Sequence, residues 1–367
     1  MGASSGERKR IPVANVLPLS ARIQVIAHLV EGTSVRATCR LTGISKGAVL
    51  RLLVTVGFGC ALLHDRLMRG VAASVIEADE LFAYVFKKEK RKAATDPSEW
   101  GDAYTWTAMD ITSRMLVSYL VGKRDPSEAY DFMQDLRERV TGRPHLSTDG
   151  FGAYPDAVRR AFGYLGIDYG VVVKEYEHSI KNQMAAAHRY SPGRVKSITK
   201  TVVFGEPLEE LINTSHMERG NLTFRMQQRR FTRLTNGFSK KAENLRHAVA
   251  LHVMHYNFVR EHMTLETTPA VAGNIASRPW TLAELVTMAL AAGQEAGEPD
   301  PNDDGGDGSG DAWGETVDPV TGEVVRTWPR WEQQTLPGLG AATANDVDAG
   351  EEIEPATVRG MAWEAMG

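Results

Sequence analysis

Cysteine is scarce in this chain of 367 residues, which contains two, Cys39 and Cys60. Two cysteines are too few for a disulfide framework or a four-cysteine zinc site, so we expect free thiols in a reducing compartment. Long apolar runs are lacking as well: no stretch approaches the roughly 20 apolar residues that span a bilayer. The opening MGASSGERKRIPV also lacks the apolar core of a signal peptide. We therefore expect a soluble cytoplasmic protein with no membrane partner.

The net charge of −4 conceals two segments of opposite charge. Residues 295–367 hold 17 acidic and 3 basic residues, a net charge of −14, whereas the rest of the chain has 39 basic and 29 acidic residues and carries +10. A basic body is typical of proteins that meet a polyanion, although an ordinary basic domain with a solubilising tail has the same balance. Composition predicts a disordered N-terminus over residues 1–16 and a disordered, acidic, low-complexity tail over residues 291–367.

Residues 17–69 show the pattern of a small all-helical domain. SARIQVIAHLVEG predicts a first helix capped by Ser20. A shorter helix, a turn at Gly43 and a further helix follow, which is the order of a helix-turn-helix unit. The start of the second helix of that unit enters the major groove, so Lys46 and Arg51 are candidate contacts to double-stranded DNA. The alternative is a look-alike within a helical bundle that binds no DNA.

Residues 70–290 have the element order of a mixed α/β domain. Three consecutive strands are predicted, beginning in VAASVIEADELFAYVF, and they are followed by helix, strand, helix and strand. This is the order of a ribonuclease-H-like domain, a mixed sheet flanked by helices. Further on, AENLRHAVALHVMHYNFVREH predicts a helix that is apolar on both sides and therefore buried on both sides.

Residues 176–240 are polar and basic and are predicted to form an insertion. Within them, RMQQRRFTRLTNGFSKK interleaves basic residues with phenylalanines, a mixture that fits phosphate contacts combined with stacking. The candidates for clamping a DNA backbone are Arg225, Arg229, Arg230 and Arg233. A solvated helix face anchored by core phenylalanines is the alternative.

Three acidic residues stand out by their positions: Asp79 inside the first strand, Asp149 at the end of the fourth, and Glu243 in the first turn of the late helix. A ribonuclease-H-like order makes the first and fourth strands neighbours and packs the late helix across them. Taken singly, Asp149 also fits a turn before Gly150, and Glu243 also fits a residue that favours the helix dipole. Rival ligands are Glu77, Glu80, Asp110 and Glu218.

A cluster of carboxylates suits phosphodiester chemistry. Mg²⁺ and Mn²⁺ prefer oxygen ligands, and two such ions about 3.5–4 Å apart serve both ends of an in-line displacement at phosphorus. A carboxylate pair also serves glycoside hydrolysis, but the basic segments of this chain argue against that use.

Five stretches of the sequence carry a resemblance to a known family. They are MERGNLTFRMQQRRFTRLTNGFSKKAENLRHAVALHVMHYNFVREHMTLETTPAVAGNI, EADELFAYV, YTWTAMDITSRMLVSYLVG, STDGFGAYPDAV and SVRATCRLTGISKGAVLRLLVTVG. Together they resemble the insertion-sequence-one family of DDE transposases over about residues 17–290. Typical members carry an N-terminal zinc finger, for which this chain has too few cysteines.

The resemblance implies a DNA-binding N-terminal part and a ribonuclease-H-like catalytic domain that cuts at terminal inverted repeats and joins 3′ ends to target DNA. It matches Asp79, Asp149 and Glu243 to the catalytic carboxylates, which would hold two Mg²⁺ or Mn²⁺ ions. It further implies a homo-oligomer on the DNA of the element ends and target, in the nucleoid of a bacterial cytoplasm. The alternative is a non-catalytic, sequence-specific DNA-binding protein, either a repressor or a domesticated relative.

Overall fold

A computed structural model describes residues 17–176, 195–233, 235–296, 314–317 and 324–327. Its contacts divide the chain into two units with a boundary after Asp303. The predicted N-terminal segment, residues 1–16, lies outside the described residues, as does most of the predicted tail.

The described residues of the first unit begin with three helices, α1 (Leu19–Val30), α2 (Val35–Thr42) and α3 (Lys46–Leu67). Helix α1 starts before Ser20, with Pro18 in the capping position, so the predicted serine cap is wrong: the fixed φ of proline, here −60°, already suits the residue before a helix. Gly43 ends α2 in the left-handed conformation with a φ of 72°, and the Ser45 side chain accepts the Ala48 N–H at the start of α3. The predicted succession of helix, glycine turn and helix is therefore present, and its role in DNA binding stays a prediction.

A six-stranded mixed sheet forms the centre of this unit. Its strands are β1 (Val75–Val85), β2 (Gly101–Asp110), β3 (Leu116–Gly122), β4 (His145–Thr148), β5 (Asp168–Tyr176) and β6 (Val195–Phe204). They lie in the order β3-β2-β1-β4-β5-β6, and β4 runs parallel to both β1 and β5 while the other pairs are antiparallel. The architecture is compatible with the predicted ribonuclease-H-like fold.

The described part of the first unit has six further α-helices: α4 (Pro126–Arg139), α5 (Tyr154–Phe162), α6 (Ser215–Gln227), α7 (Ala242–Phe258), α8 (Pro269–Ala272) and α9 (Leu282–Glu295). Strand β6 and helix α6 lie within residues 176–240, which the sequence predicted as a polar, basic insertion. Strand β6 pairs on one side with β5 and keeps mostly exposed side chains. An edge strand of this kind needs few apolar residues, which is why the composition did not indicate a strand here.

The predicted disordered tail needs a correction at two places. Helix α9 runs to Glu295, past the predicted start of the tail at residue 291. In the second unit, β7 (Gly314–Val317) and β8 (Val324–Thr327) pair as an antiparallel ladder. These two strands are rich in valine and threonine, whose branched side chains favour extended backbone despite the acidic surroundings.

Two hydrophobic cores lie against the sheet, and helix α7 contributes to both. Ala248, Leu251 and Met254 belong to the larger core, which includes side chains of α1, α3, α4, α5 and α9. Leu245 and Val249 belong to the smaller core, which α6 completes. The prediction of a helix buried on both sides is confirmed.

Helix α3 corrects the expectation that no segment could cross a membrane, because its 22 residues are long and apolar enough by length and composition. However, 56% of its most apolar window is buried inside the protein. Glycines bring its partners close: a Cβ at Gly57 would lie 2.4 Å from the His247 carbonyl oxygen of α7, and one at Gly59 would lie 1.8 Å from the Ala289 carbonyl oxygen of α9. The apolar surface of α3 is thus covered as in a core helix.

Candidate metal centre

The carboxylates of Asp79, Glu80 and Asp149 converge, with one oxygen from each within 4.8 Å of the others. Parallel pairing of β1 with β4 explains how two of them meet. Glu77 lies opposite Ser147 in that register, so Asp79 and Asp149, each two residues further on, fall at the same level and on the same side. The predicted meeting of Asp79 with Asp149 is confirmed.

Glu80 joins from the other face of β1. Alternation along the strand turns Asp79 toward α6 and Glu80 toward α5. Strand β4 ends at Thr148, and at Asp149 the chain turns away because the Asp149 carboxylate accepts the Phe151 N–H at 2.9 Å. The end of this short strand leaves room beside β1, so side chains from both faces of the sheet can approach Asp149.

Asp79 is held by two hydrogen bonds. Its Oδ1 accepts the backbone N–H of Glu80 at 2.8 Å, and its Oδ2 accepts the Asn221 side-chain N–H of α6 at 2.7 Å. Burial raises the pKa of Asp79 to about 6, the negative charges of Asp149 and Glu218 add to the rise, and the two hydrogen bonds oppose it. The two hydrogen bonds therefore fix the position of the Asp79 carboxylate, while burial makes its charged form unfavourable.

Glu80 has a side chain that is 3% exposed. Burial raises its pKa to about 7, and the charge of Asp149 adds to this. The hydroxyl of Tyr154 lies near enough to lower that pKa, yet neither this hydroxyl nor Oε1 of Glu80 makes a hydrogen bond of normal geometry. A buried oxygen without a partner is unfavourable, and a bound cation would satisfy it.

Arg124 is the cationic neighbour of this cluster, and sequence reasoning missed it. It lies in the connection between β3 and α4, 3.4 Å from Oδ2 of Asp149 and 3.6 Å from Oε2 of Glu80. Its guanidinium rests on the ring of Phe151 at 3.9 Å. A basic residue two positions after the end of β3 was the one available signal, and it does not tell which strand end the side chain will face.

Glu243 lies exposed in the first turn of α7, outside this 4.8 Å group of described residues. The reason is where α7 begins. The backbone N–H of Phe86 donates to the Ser239 carbonyl at 2.9 Å, so the chain enters α7 beside the far end of β1. From Asp79 to Val85 the extended strand spans about 20 Å. Helix α6 covers Asp79 instead, and the assignment of Glu243 as a ligand stays a prediction.

Two rival carboxylates have structural partners. Glu77 is fully buried and accepts the Met217 N–H at 2.8 Å, and its other oxygen lies 2.8 Å from Nδ1 of His216, so it caps the first turn of α6. Asp110 accepts the N–H and the hydroxyl of Ser113 at the β2–β3 turn. A third rival, Glu218, pairs with Lys174 of β5 and adds negative potential at Asp79.

The candidate DNA contacts differ in their surroundings. Lys46 and Arg51 are exposed near the start of α3, as predicted. Arg225 is half-buried: burial and the charge of Arg233 lower its pKa, and the charge of Asp79 raises it, so this arginine lies within electrostatic reach of the cluster.

The other predicted arginines follow α6. Arg233 is exposed and Arg229 is half-buried. Arg230 is also half-buried, its Nε donates to the Ser239 hydroxyl at 2.9 Å, and burial lowers its pKa to about 10. This contact holds Arg230 at the entry to α7, and its role as a phosphate contact stays a prediction.

The fold and the cluster together define an α/β protein with a six-stranded mixed sheet, flanked by helices, that brings three acidic residues to one point. Comparison with models of known protein families finds no match, and comparison with curated proteins finds none either.

Proposed function

We propose that this protein is a metal-dependent DNA transposase, which cuts at the terminal inverted repeats of an insertion sequence and joins the 3′ ends to target DNA. The observation that carries the proposal is the convergence of Asp79, Glu80 and Asp149 at the end of β4. In this proposal these three carboxylates hold Mg²⁺ or Mn²⁺, and Glu243 remains the sequence-based candidate for a further ligand. Such ions, two in the usual arrangement, stabilise both the attacking and the leaving oxygen of an in-line displacement.

The donor set fits a hard divalent cation. All three side chains offer oxygen, which Mg²⁺ and Mn²⁺ prefer. The raised pKa values of Asp79 and Glu80 reflect negative charges that are buried and close together, which a cation would relieve. Oε1 of Glu80, which is buried and makes no hydrogen bond of normal geometry among the described residues, would gain a ligand bond.

Double-stranded DNA is the proposed partner. The exposed Lys46 and Arg51 at the start of α3 suit the reading of element ends, and Arg225 and Arg233 suit contacts to the backbone near the cluster. A homo-oligomer on DNA is part of the proposal because two ends must be cut and joined together. The site of action would be the nucleoid of a bacterial cytoplasm.

A strand-transfer assay tests this function. DNA that carries the element ends is incubated with the full chain and Mg²⁺ or Mn²⁺, and products are resolved by length. Asp149→Asn should reduce product to background while end binding survives. Asp156→Asn is the matched control, since Asp156 is an exposed carboxylate on α5 that pairs with Arg159. If the parent protein binds the ends and cuts with neither metal, the enzymatic proposal fails.

A non-catalytic DNA-binding protein is the second candidate, and one contact favours it. Arg124 already neutralises part of the charge on Glu80 and Asp149. A cluster that uses arginine as its counter-ion would bind no metal. Calorimetric titration of Mn²⁺ into the full chain separates the two candidates: heat that disappears in Asp149→Asn supports the transposase, and its absence in the parent protein supports the repressor or domesticated relative.

A further inference from the structure

Beyond the carboxylates, strand β1 carries Phe82 and Tyr84, and Phe86 directly follows the end of the strand. These three aromatic side chains are here named the aromatic track. Alternation turns the intervening residues into the smaller core; these are Leu81, Ala83 and Val85. Phe82 is 43% exposed and Phe86 is 41% exposed, and Tyr84 is half-buried. Neighbouring large apolar groups on a surface mark an interaction site more often than single ones do.

Each ring of the track has a second ring beside it. Phe82 meets Tyr104 edge-on with centroids 5.5 Å apart. Tyr84 stacks with Phe238 at 4.6 Å, and Phe86 stacks with Trp100 at 3.9 Å with planes 16° apart. These contacts fix the orientation of the rings, so a planar ligand would find preformed surfaces.

Phe86 reaches its stacked position through an unusual backbone. Its φ is 59°, in the left-handed region that residues with a Cβ rarely adopt. Strained conformations of this kind persist where the surrounding structure holds them and are concentrated at functional sites. This backbone conformation places the Phe86 ring on Trp100. Burial of the side chain does not explain the conformation, because Phe86 remains exposed.

Ammonium groups lie over the faces of the same rings. Lys88 Nζ is 5.9 Å from the Tyr84 centroid, and Lys240 Nζ is 5.3 Å from that of Phe86 and 3.9 Å from that of Phe238. Rings paired with exposed cations suit an unpaired nucleotide, because its base stacks on a ring and its phosphate pairs with an ammonium group.

Acidic residues of the loop between β1 and β2 and of the start of β2 have local partners. Asp96 pairs with Lys87 at 2.6 Å and also accepts the Ala93 N–H. Asp102 accepts the backbone N–H of Glu89, and Glu89 accepts the backbone N–H of Asp102. Their charges are therefore partly satisfied locally, and the lysines over the rings give the track a cationic edge.

The track leads to the candidate metal centre. Glu80 lies on the same face of β1 as Phe82, one two-residue repeat of about 7 Å before it. A cleft of about 370 Å³ continues the path, and it is lined by Glu89, Asp102, Tyr104, Lys123 and Arg124. Arg124 contacts Glu80 and Asp149, so the cleft joins the ring beside Phe82 to the carboxylates.

We propose that the aromatic track binds a single strand of DNA and directs it toward the carboxylates. In a duplex the base faces are already stacked on one another, so exposed rings favour unpaired bases. Delivery to the carboxylates rests on the proposed function, whereas binding of the strand does not.

Fluorescence anisotropy with labelled oligothymidylate tests the binding. The full chain is used in EDTA, with excess unlabelled duplex to occupy duplex-binding surfaces. The double variant Phe82→Leu/Tyr84→Leu keeps apolar side chains but removes two ring faces, and we expect its affinity to fall at least about 10-fold, given about 5- to 150-fold per lost base stack. Tyr164→Leu is the control because Tyr164 is an aromatic residue off the track that is 60% exposed, and it should bind as the parent does.

Two further measurements sharpen the test. Lys88→Gln and Lys240→Gln should each reduce the slope of log affinity against log salt by about 0.7, the value for one phosphate contact on a single strand. A 5-iodouracil-substituted oligomer, cross-linked by light, should attach to the peptide that contains Phe82 and Tyr84.

Four results would overturn the proposal: equal binding by the double variant and the parent, cross-links elsewhere alone, tighter binding of an RNA oligomer, or a change of oligomeric state as the main effect of the double variant. Unchanged circular dichroism of the variants confirms that a loss of binding is not a loss of fold. Because these experiments contain no metal, they are independent of the strand-transfer assay. If the protein binds the single strand on the aromatic track but never cuts DNA, the proposed transposase function is refuted and the proposed single-strand binding is supported.

Discussion

Replacing Asp79 by asparagine should stabilise the protein at neutral pH while it damages the metal centre. The folded protein raises the pKa of this carboxyl from 3.8 to about 6, chiefly by burial. Between these values the folded state holds a proton that the unfolded state has lost, so the associated stability is present below pH 4 and disappears as the pH rises through 6. The shift corresponds to about 3 kcal/mol lost by pH 7.5. An uncharged amide would avoid that loss.

The surroundings of Asp79 suit the amide. Glu80 N–H and the Asn221 side-chain N–H donate to the carboxylate now. Among the described residues Asn221 Oδ1 is buried and has no hydrogen-bond partner, so rotation of the Asn221 amide would let it accept from the new side chain. The rotation exchanges the buried oxygen of Asn221 for its N–H group at the same position, so the number of buried polar groups without a hydrogen-bond partner does not increase.

Thermal unfolding in EDTA at pH 4.5 and 7.5 measures the effect. Asp79→Asn should unfold roughly 6 °C above the parent at pH 7.5 and close to it at pH 4.5. Mg²⁺ at ten times its dissociation constant should return about 1.4 kcal/mol to the parent and little to the variant. Asp156→Asn serves as the control, because that carboxylate is exposed. If the variant gains no stability, or gains equally at both pH values, the account of a destabilising carboxylate cluster is wrong.

Two further predictions concern α3. Gly59→Ala should cost several kcal/mol of unfolding free energy because its Cβ would fall 1.8 Å from the Ala289 carbonyl oxygen. Gly152→Ala is the control and should cost under about 1 kcal/mol, because no heavy atom lies within 4 Å of the new Cβ. Chemical denaturation measures the unfolding free energy of both variants. Lys46→Gln and Arg51→Gln should each lower the salt slope of duplex binding by about 1 in a filter-binding titration, and an unchanged slope for both would exclude the start of α3 as a phosphate contact.

Much of the order of elements could be read from the sequence because their patterns are local. Alternating apolar residues marked β1, and helical spacing marked α7. The pairing of Asp79 with Asp149 followed from strand order, since parallel neighbours end at the same edge of a sheet. Strand β6 was missed because an edge strand exposes most of its side chains and lacks the apolar signal.

The rest of the site depends on the length of β4 and on where α7 begins along β1, and neither can be read from the spacing of apolar residues. Alternation separates Asp79 from Glu80, and they meet at Asp149 because β4 is only four residues long. Spacing along the chain placed Glu243 on the correct helix without revealing that α7 begins beside the far end of β1. Arg124 contacts residues that are distant from it in the sequence, and no sequence pattern predicts which residues such a side chain will contact.

The close packing of α3 has a geometric consequence for any DNA that it holds. Its 22 residues extend about 33 Å from the exposed Lys46, and Gly57 and Gly59 press its middle against the backbones of α7 and α9. This packing fixes the position of the first turn of α3 relative to the sheet. DNA bound at its start would lie at a fixed distance from Asp79, so the spacing between a recognised sequence and a cut would be set by the length of a helix.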